Sequence, residues 1–175
     1  MDWYGTVFAL IELQSFSSVW YWIFLAAAWS WRTQHVLGVP YDMVSRAAHS
    51  GGQRQDELEV VLALRIARVL WVTGRAGPWV VGVGCAVLAG LGTLGFVYGV
   101  EFAQAVVLLA LPLLVTWPMS ANLAERIDRE ALTGEALVRT LSRHRGRVLA
   151  IAMVSIFGTA LWGTYHNLVT GIFGF

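Results

Sequence analysis

Three titratable side chains beside apolar runs are the first candidates for chemistry. Glu101 interrupts the stretch "GTLGFVYGVEFAQ" at 92–104, Glu12 stands just ahead of the first apolar run, and His166 lies in "TYHNL" toward the C-terminus. If apolar helices enter at Pro78 and Val148, a rise of about 1.5 Å per residue brings Glu101 and His166 out at one level, with Glu12 beside them. A carboxylate paired with an imidazole favours the imidazolium and raises its pKa above ~6.5, which would make that layer pH-sensitive. The plainer reading is that Glu101 keeps a turn in water and His166 is an interface residue.

A second cluster is cationic. Arg139, Arg143 and Arg147 recur every four residues just before the last apolar run. Such a row suits lipid head groups, or it serves as a topology anchor. No catalytic constellation accompanies either cluster. The sequence has no GxxxxGK[ST], HExxH or GxSxG, and no Rossmann glycine pattern in a βαβ context. Cys85 is the only cysteine, so no disulfide, redox pair or cysteine-bound cluster forms within one chain. The expectation is no catalytic residue, no metal, no cofactor and no nucleic-acid partner.

The elements that hold these residues follow from composition. Apolar residues make up 57% of the 175 and charged ones only 13%, which places the chain among membrane proteins. Four charge-free segments, 13–31, 79–100, 102–124 and 148–175, approach or exceed the ~20 residues a spanning helix needs. The reading is an all-α membrane protein with spans at about 15–36, 78–98, 102–122 and 148–169. An N-terminal interfacial helix with Trp3, Tyr4 and Phe8 precedes them, and two helical connections lie at about 37–77 and 123–147. All 12 basic residues are arginines within those connections or at their edges. The positive-inside rule then places both connections in the cytoplasm and both termini, with the Glu101 turn, in the periplasm of a bacterial inner membrane. No cleavable signal peptide is expected, because the N-terminus carries Asp2 and no basic region.

Within this frame the first connection predicts a helix over about 56–72, ended by Gly74, Gly77 and Pro78. The second predicts two helical pieces with a break at Thr133 and Gly134. Small residues Gly82, Ala86, Gly90 and Thr93 line one face of the second span, and Ala152, Ser155, Thr159 and Gly163 line one face of the fourth. These faces predict close helix contacts, within one chain or between copies. Pro112 and Pro118 in the third span should free carbonyls that only protein or ordered water can satisfy.

The pieces "MDWYGTVF", "FSSVWYWI", "LGVPYDMV", "LGFVYGVEFAQAV" and "IAMVSIFGTALWG" resemble small inner-membrane proteins of photosynthetic and marine alphaproteobacteria that carry no established activity. Such proteins are sometimes labelled a component of the Suf iron–sulfur assembly complex. The function expected is a non-catalytic accessory, structural or assembly subunit of an inner-membrane complex, with the bilayer and other subunits or copies of itself as partners. The alternative is a small homo-oligomeric channel or carrier, in which polar residues and the proline-bearing span line a path.

Overall fold

The computed structural model describes residues 19–172. In chain order these form α1 (Val19–Gln34), β1 (His35–Val36), β2 (Val39–Pro40), α2 (Tyr41–Ser50), α3 (Gln53–Phe96), α4 (Glu101–Arg129) and α5 (Gly134–Ile172). The described chain is thus helical apart from one small hairpin. The expected interfacial helix, with Glu12, lies outside the described residues. Helices α3, α4 and α5 are long and apolar enough to cross a bilayer. Their outer surfaces carry Trp79, Val83, Val87, Val154, Phe157 and Leu161 in exposed positions. Apolar surface of that extent is unfavourable in water and fits a membrane-embedded protein.

The turns are made by residues suited to them. Leu37 and Gly38, both at positive φ, join β1 to β2 with Val36 opposite Val39, the geometry of a two-residue hairpin. At the far end of the molecule α3 is closed by bonds from Val97 N–H to Thr93 O and from Val100 N–H to Leu94 O. Gly99 takes φ +72° there, which an L side chain adopts only with strain. Between α4 and α5 the chain reverses through Ala131 and Gly134, both at positive φ. The Gly134 N–H donates to Glu59 Oε1 of α3 at 2.8 Å.

One expected boundary is corrected. The helix predicted to stop before Pro78 instead runs unbroken for 44 residues from Gln53 to Phe96. Proline removes one rung of the i→i−4 ladder. In an apolar setting, ending the helix would expose several more backbone groups, so continuing is the cheaper course. Packing reinforces it: a Cβ placed on Gly77 would stand 3.9 Å from the Trp117 ring on α4. Pro112 and Pro118 likewise leave α4 continuous. Beside Pro118, Thr116 Oγ1 donates to the Leu113 carbonyl at 2.7 Å.

Two cores result. The larger lies at the arginine-bearing end, where Val44 of α2, Leu58, Leu62 and Ile66 of α3, Ile127 of α4 and Leu137 and Leu141 of α5 are buried together. It is built largely from the segments that carry the arginines and from the helix ends that join them. The smaller core joins Leu25 and Trp29 of α1 to Leu109 of α4 and Val148 and Ala152 of α5. Helix α4 packs between α3 and α5.

Candidate functional site

Two buried polar clusters tie α4 to its neighbours, one at its Glu101 end and one around Thr116 and Ser120, just past its middle. At the Glu101 end the organising residue is Gln104, buried among three helices. Its Nε2 donates to the Gly95 carbonyl of α3 at 2.8 Å, and its Oε1 accepts from Trp162 Nε1 of α5 at 3.0 Å. Phe96 packs edge-on against Trp162 with ring centroids 5.4 Å apart. Gly95 permits this arrangement, since a Cβ there would stand 2.8 Å from the Gln104 backbone nitrogen. Glu101 and His166 each lie about one turn further outward than Gln104 and Trp162, so the register brings them to one level. Glu101 opens α4, and His166 is half-buried on α5.

At the arginine-bearing end the organising residue is Arg32, near the C-terminus of α1. Its Nε donates to Thr116 Oγ1 at 2.9 Å, and its Nη2 to the Thr116 carbonyl at 3.0 Å and to Ser120 Oγ. The guanidinium fork thereby clamps α1 to α4. Ser120 Oγ also lies 3.4 Å from Nε2 of His144, which is buried on α5. Burial, aided by the positive charges of Arg32 and Arg147, pushes the His144 imidazole down to about 4. Next to it, Arg145 Nε donates to the Thr33 carbonyl at 3.2 Å, and its guanidinium stacks 3.9 Å over the Tyr41 ring. Tyr41 in turn donates to Ser142 Oγ at 3.3 Å. The ion pairs among the described residues are all i,i+4 surface pairs: Arg46–Asp42, Arg126–Glu130 and Arg139–Glu135. Arg32 therefore rests on hydroxyl and carbonyl oxygens, with no described carboxylate beside it.

Among the concavities that flank α4, three border these polar groups or the small-residue face of α5. One of about 210 Å³ lies at the arginine-bearing end, between α4 and α5. Another of about 450 Å³ lies between Trp31, Arg32 and His35 on one side and Thr73 and Trp117 on the other. The third, about 460 Å³ and apolar, runs past Pro112 toward Ser155 and Thr159. Thr159 Oγ1 is enclosed there without hydrogen-bond geometry, although the Tyr21 hydroxyl, which donates to the Ala105 carbonyl, is near enough to interact with it. No group of three or more His, Cys, Asp or Glu side chains among the described residues could hold a metal ion.

The two small-residue faces fare differently. Ala152, Thr159 and Gly163 are buried within the chain and Ser155 partly so. Gly82, Ala86, Gly90 and Thr93 are all exposed, and a Cβ on Gly82 or Gly90 would meet nothing within 4 Å. The glycines of α3 that meet other helices are Gly77, Gly84 and Gly95. Of the arginine row, Arg139 is bonded to Glu135 at the surface, whereas Arg143 and Arg147 line the 210 Å³ pocket. Sequence reasoning missed Arg32 and His144 as organising residues, and a lone arginine ending an apolar run was the available signal for the first.

Fold and site together define a helical membrane-embedded protein tied by buried polar contacts near the start and past the middle of α4. No protein-family model matches the chain, and neither the curated proteins nor the solved structures give a match.

Proposed function

We propose that the chain is a non-catalytic accessory, structural or assembly subunit of a bacterial inner-membrane complex. In this reading it crosses the membrane four times, α1 supplying part of the first span. Both termini and the Glu101 turn lie in the periplasm, and the two arginine-bearing segments lie in the cytoplasm. The observation that supports a partner is the face of α3 carrying Gly82, Ala86, Gly90 and Thr93, which stays uncovered while every small residue of the α5 stripe is at least partly covered. Small side chains let another helix approach closely where the hydrophobic effect provides no attraction.

Cys85 is exposed and borders that face, which makes it a native probe. Mild oxidation in native membranes traps a second thiol that lies against it, a thiol-attached photo-crosslinker captures any other neighbour, and mass spectrometry after gentle solubilisation identifies either one. A stoichiometric heteromeric partner supports the subunit reading. A Cys85–Cys85 dimer that migrates as a symmetric homo-oligomer and conducts ions in liposomes would replace it with a channel or carrier. Threading is tested separately: alkaline phosphatase fused after Phe175 should be active, and a fluorescent cytoplasmic reporter at the same position should be dark.

A further inference from the structure

The row of arginines read from sequence is rearranged by the fold into a pocket. Arg139 leaves the row by pairing with Glu135, and Arg126 enters it from the neighbouring helix. Arg126, Arg143 and Arg147 then surround a concavity of about 210 Å³, with His144, Asn122 and Thr140 as its other polar lining. Met119 and Leu123 close the side nearer the apolar part of α4. Arg126 already holds Glu130 at 3.0 Å. Arg143 and Arg147 have no hydrogen bond or ion pair to any described residue. Two guanidinium groups one helical turn apart, without counter-charge, over a polar floor and beside an apolar wall, match a tetrahedral oxyanion attached to something greasy.

We propose that this pocket binds a phosphate group, as the phosphodiester of an anionic phospholipid or as free phosphate. Arg143 and Arg147 act as the forks, Arg126 as the flanking charge, and Asn122 and Thr140 as neutral polar partners. The pocket sits immediately before the apolar run that begins at Val148, the level at which lipid phosphates lie if that run enters the bilayer there. The lipid source rests on the membrane placement proposed above. The free-phosphate source does not, so failure of the two ideas can be told apart.

The test uses the purified full chain in neutral detergent, with bound species counted by native mass spectrometry. Dioleoylphosphatidylglycerol, dioleoylphosphatidylcholine and inorganic phosphate are titrated separately. An arginine at a head-group surface is worth about a fivefold change in association, so Arg143→Gln with Arg147→Gln should weaken binding about 30-fold. Arg139→Gln, outside the pocket, should leave it unchanged within about twofold. Asn122→Asp is the second variant. Its carboxylate supplies the missing counter-charge internally, so it should fold at least as well as the parent yet lose the anion.

Phosphatidylglycerol binding that phosphatidylcholine and inorganic phosphate do not reproduce assigns the lipid source. Equal binding of inorganic phosphate assigns the soluble one. The proposal is overturned if phosphatidylglycerol and phosphatidylcholine bind alike and phosphate does not bind. It is also overturned if Arg139→Gln is as damaging as the double variant, or if Asn122→Asp binds anions like the parent.

Discussion

Replacing Gly95 by alanine adds a single methyl group where the backbones of α3 and α4 approach closely. A Cβ there stands 2.8 Å from the Gln104 backbone nitrogen, 3.0 Å from its Cγ and 3.2 Å from the Ala103 carbonyl carbon. Two of those three atoms are backbone, so no rotamer change relieves the clash and the helices must part by roughly 0.5–1 Å, at an overpacking cost of about 1–3 kcal/mol. The separation also stretches the bond from Gln104 to the Gly95 carbonyl, now 2.8 Å, a contact worth about 1 kcal/mol. Alanine's better helix propensity returns at most about 1 kcal/mol. The net expectation is a loss of about 1–3 kcal/mol, read by reversible unfolding of the detergent-solubilised chain. Gly90→Ala is the matched control: nothing lies within 4 Å of its Cβ, so it should be neutral or slightly stabilising for the single chain. A neutral Gly95→Ala together with a destabilising Gly90→Ala would show that the opposite face of α3 meets α4, and the reasoning would fail.

His144 should impose a pH dependence. Its folded value of about 4 lies below the unfolded ~6.5, so between these values the unfolded chain takes up a proton that the folded chain refuses. Stability is therefore full above the unfolded value and falls as pH drops toward the folded one. The loss is on the order of 2 kcal/mol after allowance for screening by solvent. Unfolding midpoints from pH 7 to 4 should decline for the parent and be flatter for His144→Gln. Gln104→Leu orphans both the Gly95 carbonyl and Trp162 Nε1, and should cost about 1–3 kcal/mol. A double-mutant cycle with Trp162→Phe should show coupling, and strict additivity would contradict the shared bond. Arg32→Lys keeps the charge but cannot reach Thr116 and Ser120 together, so it should lower thermal stability nearly as much as Arg32→Gln. Full rescue by lysine would mean that charge alone matters at that position.

Legibility in the sequence depended on whether a feature is local. The apolar runs, the reversal around Glu101 and the break at Thr133 and Gly134 are local, and the helices end and begin there. The passage of α3 through Pro78 was not legible, because a proline ends a helix in water and is carried through where unpaired backbone groups are costly. The glycines were ambiguous for a different reason. Helix α3 has small residues all round, and the spacing of Gly82, Ala86 and Gly90 is as good a packing signal as that of Gly77 and Gly84. Only the position of α4 decides which set is covered. His144 looked like one more member of a basic cluster, since nothing local reveals that its ring turns inward while Arg143 and Arg147 turn out.

The unbroken run of α3 also has a mechanical meaning. At 1.5 Å per residue, 44 residues make a rod of about 66 Å, with the missing backbone rung at Pro78 as its most compliant point. The part beyond that proline is an arm of about 27 Å, so each degree of tilt toward α4 would sweep the Phe96 tip by about 0.5 Å. Two degrees would use up about an ångström, and at Gly95 even a methyl group finds no room against Gln104. The joint of Gly95, Gln104 and Trp162 is in that sense an angular stop, and it confines the flexibility allowed by Pro78 to motions that slide along α4 rather than into it.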